Sequence, residues 1–219
     1  MQALGDVWLK NATKFIDGTF PNWKTETRVV PPLSTTIHSS LVYFLHELGK
    51  NMNESMFIVY SRDMKQLLKT RSSGGLYEKL ENIQEIDHDI VVIDRRRGLF
   101  HIKVCYITEK KTGELSQSRL HLIQQKCDYA KSDFDHIKVL VREAGMQKNQ
   151  TKSFPLPLPI VAFPRVRKEE IPPHNGLILS ETECLSRTGF ESWWKDYIIK
   201  SDSKKFALSP ETHLALLAM

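Results

Sequence analysis

Cysteine is scarce in this 219-residue sequence: Cys105, Cys127 and Cys184 stand far apart, with no CxxC pair. So sparse and odd a count excludes a disulfide framework and a zinc knuckle, and three reduced, buried thiols are expected instead. No apolar run approaches the ~18 residues of a membrane span. The start, MQALGDVWLKN, carries no basic segment followed by an apolar one, so no secretory leader is read there. P-loop, GxGxxG and GxSxG patterns are missing, which removes the common nucleotide-binding and serine-hydrolase classes. His46-Glu47 is not the start of HExxH, because position 50 is lysine. His88, His101, His121 and Cys105 follow the spacing of no common zinc site. There is no internal repeat and no low-complexity block. The chain therefore reads as intracellular, cytoplasmic or nuclear.

What is present is a globular composition, 41% hydrophobic and 26% charged, which can bury a sizeable core. The formal net charge of +5 permits contact with nucleic acid or an acidic surface without specifying either.

Apolar spacing predicts a helix over 4–16, then an irregular stretch to the firm break at Pro31-Pro32. A second helix is expected over 34–50, with Leu41, Phe44, Leu45 and Leu48 on one stripe and Gly49 starting its exit. MFIVYS, 56–61, is a buried strand. A short helix is expected at 63–70, a loop at 72–75, and a long helix seamed by Leu120, Ile123, Cys127 and Ala130, with a bend before Phe134. Strands follow at IVAF, 160–163, and GLILS, 176–180. A last amphipathic helix, 181–198, holds Trp193 and Trp194, at least one of them in the core. The boundaries drawn are 1–33 as an N-terminal helical extension, 34–200 as an α/β domain, and 201–219 as a polar linker and the start of a truncated helix. The class is α/β, a mixed sheet flanked by helices.

The chemistry concentrates in DHDIVVIDRRRGLFHIKVCY, residues 87–106. This is a hairpin: Ile90–Ile93 form one strand, Asp94 to Gly98 the turn, and Leu99 onward the partner. In the partner strand, His101, Lys103 and Cys105 share one face and Phe100, Ile102 and Val104 the other. A carboxylate on one strand facing an acid and a lysine two apart on the next is how a hard divalent ion is held against a phosphodiester.

These residues resemble the PD-(D/E)xK nuclease superfamily, and within it the nuclease-related domain (NERD) branch. The carriers are Glu85-Ile86-Asp87-His88-Asp89, the apolar strand, the Gly98 turn and Gly98-Leu99-Phe100-His101-Ile102-Lys103-Val104-Cys105. The helix with Gln124 and Gln125, the strand IVAFP and the segment GLILSETECLSRTGFESWW follow in the family's order, so the likeness spans about 40–200. It implies a restriction-endonuclease-like fold with the N-terminal helix as an addition. It also implies Asp89, Lys103 and Glu47 in catalytic positions, Asp89 (less so Asp87) and His101 as metal ligands, and Mg²⁺ or Mn²⁺ if the site is active. The departures are specific. One register puts Lys103 where the family has its glutamate and Cys105 where it has its lysine. The other, shifted by two, puts His101 on the acid and keeps Lys103. Neither supplies the acid, and an ammonium in an acid's place repels a divalent ion.

The expected function is thus a catalytically degenerate nuclease-fold module that binds nucleic acid or a partner domain. The alternatives are a metal-dependent endonuclease acting on DNA or RNA and a protein-interaction scaffold. Arg95, Arg96 and Arg97 in the turn are the candidate phosphate contacts, and Arg165, Arg167 and Lys168 repeat the theme. The resemblance also implies a helicase or other ATPase region as neighbour in a full-length chain.

Overall fold

The computed structural model describes residues 13–14, 16–20, 22–30, 40–61, 87–107, 117–146, 156–174, 176–200 and 207–217. The expected helix at 63–70, the loop at 72–75 and most of the helix over 4–16 lie outside them.

Among the described residues, six strands form one mixed sheet in chain order. They are β1 (Arg28–Val30), β2 (Met56–Ser61), β3 (His88–Asp94), β4 (Gly98–Val104), β5 (Leu158–Ala162) and β6 (Leu177–Leu179). β2, β3 and β4 are antiparallel, while β1 runs parallel to β2, β5 to β4, and β6 to β5. The first parallel step is made by helix α1 (Ser40–Asn51). The second is made by α2 (Gln117–Met146), which runs as one continuous 30-residue helix.

Alternation along the strands divides the core. Ile90, Val92, Phe100, Ile102 and Val104 face α1 and its partners α3 (Glu181–Leu185) and α4 (Arg187–Trp194). On the other face, Cys105 and Val161 pack under Ile123, Cys127, Ala130 and Phe134 of α2. Toward the hairpin turn, Phe57, Ile93 and Leu99 lie under Ile16, Trp23 and the helix α5 (Pro210–Leu217). Trp193 and Trp194 are both buried, where at least one was expected to be.

Several expectations are corrected. The stretch before Pro31-Pro32 is not wholly irregular, because Arg28–Val30 pairs with Phe57–Val59. The described parts of 1–33 and 201–219 pack with the rest: β1 is a sheet strand and α5 covers one end of the core. The last amphipathic helix is two, divided at Ser186. That residue is extended and its hydroxyl accepts from Gly189 N, capping the second piece. Gly49 does not start an exit; it lies inside α1. A Cβ there would stand 2.1 Å from Thr27 Oγ1, so this glycine lets the approach to β1 run against the helix. The thiols of Cys105, Cys127 and Cys184 are free and buried, and burial pushes that of Cys127 up to about 11. Among the described residues no helix is long and apolar enough to cross a membrane.

Under α5, His213 is fully buried on Trp23, with ring centroids 5.4 Å apart, and neither ring nitrogen has a hydrogen-bond partner among the described residues. Burial, helped by the positive charge of Arg95, pushes its pKa down to about 4. The unfolded chain takes up this proton near pH 6.5, whereas the folded chain refuses it until about pH 4. Stability from the neutral ring is therefore present above pH 6.5 and lost as pH falls toward 4, by on the order of 3 kcal/mol. Urea unfolding of wild type and His213→Leu at pH 7.0 and at pH 4 should show wild type losing roughly that much relative to the variant. A difference that does not change with pH would place the ring in contact with water.

Candidate functional site

The hairpin register brings the sequence candidates together. Asp89 of β3 lies directly across from Lys103 of β4, and His101 is opposite Val91 two positions on, so all three side chains point to the face covered by α2. Lys103 Nζ is 3.2 Å from Asp89 Oδ1. His101 Nε2 is 2.9 Å from that same oxygen, to which it donates. A fourth member comes from α2: Asp133 Oδ2 is 2.9 Å from Lys103 Nζ. The ammonium thus sits between two carboxylates.

The cluster is closed. Asp89, His101, Lys103 and Asp133 are each at most 4% exposed. Helix α2 caps the group with Tyr129, whose ring centre is 5.5 Å from the ammonium, and with Phe134, packed edge-on at 4.8 Å against the His101 ring. Burial alone would lower the pKa of Lys103. Asp89 and Asp133 outweigh it and hold the ammonium well above the ordinary lysine range. His101 Nδ1, pointing away from Asp89, is buried without a hydrogen-bond partner among the described residues.

Sequence reasoning missed Asp133. Its signal was available: it follows Ala130 by three in the buried seam of α2, where an acid needs a partner. The residue lies 30 positions beyond Lys103, however, and nothing local joins them.

The metal expectation does not fit these side chains. The position between the two carboxylates, which a divalent cation would take, holds an ammonium. Among the described residues no group of three or more histidine, cysteine, aspartate or glutamate side chains is arranged to hold a metal ion. Asp87, the second carboxylate considered, is engaged separately: it accepts from Tyr106 N at 2.8 Å and pairs with Lys126. Cys105, the lysine position in the other register, is fully buried, and burial drives its thiol far above the usual range.

Glu47 does not join the cluster. It belongs to α1, whose buried face packs on Phe100, Ile102 and Val104, the side of the sheet opposite Lys103. Its carboxylate is 3.8 Å from Arg187 and 3.6 Å from His46.

The three turn arginines divide by role. Arg97 is buried, bidentate on Glu54, with Asp94 Oδ2 at 2.9 Å from Nη1. Desolvation opposes its charge, but Glu54 and Asp94 hold the guanidinium above its ordinary range. Desolvation pushes the Asp94 carboxyl up despite Arg97. Arg97 therefore cannot contact phosphate, which corrects the sequence expectation. Arg95 and Arg96 are exposed and remain candidates. The turn is roughly 15 Å along the strands from Asp89. The second basic group lies at the other end of the sheet, after β5, beside a buried pair in which Arg119 Nε is 3.3 Å from Glu170. Burial works against the Glu170 charge, but Arg167 N and Arg119 hold the carboxyl below its usual range.

Comparison of the chain with family models, with curated proteins and with solved structures gave no match.

Proposed function

We propose that the chain is a nuclease-like module of the nuclease-related, PD-(D/E)xK type that has lost hydrolytic chemistry and works by binding. The fold element of this reading rests on the succession α1, β2, β3, β4, α2, β5 with a parallel step across α2, which agrees with the restriction-endonuclease-like arrangement that the sequence resemblance implies. One observation carries the functional element: Lys103 lies between Asp89 and Asp133 under a helix. An ammonium cannot accept a metal, cannot activate water for attack, and here satisfies the acids that would otherwise recruit the ion. A phosphodiester would have to displace α2 to reach it. What the surface offers instead is Arg95 and Arg96 for phosphate, so nucleic acid is the favoured ligand and a partner domain, such as a neighbouring ATPase region, the second.

Incubation of the chain with single- and double-stranded DNA and RNA, with Mg²⁺ and with Mn²⁺, should give no cleavage. Binding should weaken steeply as salt rises from 50 to 200 mM. Cleavage that EDTA stops and Asp89→Asn abolishes would establish the rival reading, an active endonuclease.

A further inference from the structure

At the turn end of the sheet, a cleft of about 530 Å³ opens between the β3–β4 turn, the α1–β2 connection and the segment 207–208. Lys24, Arg95 and Arg96 line it, with Asn53, Ser55 and Leu208 between them. This volume is within the usual range for small-ligand sites.

The charge at the cleft is unbalanced by construction. Glu54 also lines it, but its side chain is only 3% exposed and is occupied by Arg97. Arg96 reaches Glu54 only with Nη1, at 3.3 Å, and is 70% exposed. Among the described residues no carboxylate pairs with Arg95 or Lys24; the Lys24 ammonium rests 5.2 Å from the centre of the Trp23 ring. Three cations thus line one opening, while the acids nearest to them, Glu54 and Asp94, are held chiefly by Arg97. Like charges that are only partly compensated repel, and a polyanion relieves this.

The backbone that carries Arg95 and Arg96 is also held in place. Asp94 Oδ1 accepts from Arg96 N at 2.8 Å and from Arg97 N at 3.2 Å, which fixes the turn. Leu208 N donates to Arg95 O at 2.9 Å, which ties the opposite wall to it. A turn whose backbone is set by the fold loses less freedom on binding than a loose loop does. The second basic group, Arg165, Arg167 and Lys168, lies at the far end of the sheet. The charge is therefore local to the cleft and forms no stripe with that group.

We propose that this cleft binds clustered phosphates, two or more on one ligand, as carried by a nucleoside diphosphate or by the end of a nucleic-acid strand. The guanidiniums of Arg95 and Arg96 take phosphate oxygens in forked pairs, and Lys24 adds a point charge from the facing wall. This deepens the binding-module reading by giving it a site, and it does not depend on whether the Asp89 cluster hydrolyses anything.

The test is equilibrium binding by the whole chain of two probes: ADP by calorimetry and a fluorescein-labelled eight-nucleotide strand, with and without a 5′-phosphate, by anisotropy. Lys24→Glu, Arg95→Glu and Arg96→Glu should each weaken binding by about tenfold or more, and a rise from 50 to 200 mM salt should do the same. Arg165→Glu and Arg167→Glu should leave it unchanged, and thermal melts confirm that each variant is folded. ADP binding, or a strand that gains from its 5′-phosphate, identifies the source of the phosphate. Binding of neither probe overturns the proposal, and so does binding that the three cleft substitutions leave intact. Metal-dependent cleavage would remove the silent-module reading and leave this one standing.

Discussion

Lys103→Met should lower stability by about 3–5 kcal/mol at pH 7, a fall of roughly 10 °C in melting temperature for a chain of this size. Methionine fills most of the volume, so the loss reports charge. Without the ammonium, Asp89 and Asp133 face one another across a buried gap, each having lain within hydrogen-bonding reach of the same nitrogen. Two such carboxylates do not both stay ionised, and the pKa of the pair rises above that in the unfolded chain. The folded variant then binds more protons than its unfolded chain, so its deficit is greatest above the raised pKa and shrinks as pH falls toward 5. Adding Asp133→Asn to Lys103→Met should recover part of the loss by removing one of the two charges. Chemical unfolding of the four members of this cycle between pH 5 and 8 measures the coupling. A Lys103→Met loss below about 1 kcal/mol, flat with pH, would mean that the cluster is hydrated and open, against the buried geometry.

The second large effect is expected at Arg97. Arg97→Ala strands Glu54 and Asp94, which are 4% and 1% exposed, and should cost about 3–5 kcal/mol. Arg97→Lys restores a charge but not the fork that engages both Glu54 oxygens, so it should recover only part. Arg95→Ala and Arg96→Ala, on exposed neighbours in the same turn, should stay within about 0.5 kcal/mol of wild type. Thermal melts of the four variants separate the arginine that builds the turn from the two that it displays. Equal losses at all three positions would contradict this division.

The hairpin was legible because its signals are local. Alternation fixed which residues of β4 share a face, and Asp94 to Gly98 marked the turn, with Gly98 at φ 103° where other residues are strained. The long helix and the strand at 56–61 were legible for the same reason. What escaped depends on partners far along the chain. β1 has three residues and no pattern of its own; it is a strand because Phe57–Val59 lies beside it. Glu47 could be placed on α1 from the sequence, but the side of the sheet that α1 covers is a tertiary fact. Arg97 looks like its two neighbours until Glu54, 43 residues earlier, claims it. Asp133 was invisible as a partner because the seam of α2 reveals burial and not what the buried acid meets. That positions 101, 103 and 105 hold no acid was readable, and the Lys103 ammonium between two carboxylates is the central fact of the site.

Among the described residues both margins of the sheet are three residues long, Arg28–Val30 and Leu177–Leu179, and Pro31-Pro32 follows the first directly in sequence. A foreign strand docking at either side finds only a few free amides and carbonyls, and proline has no amide to extend that ladder. The antiparallel centre, with its long apolar strands, is thereby fenced from stacking edge to edge with other molecules, which disfavours amyloid-like growth at high concentration.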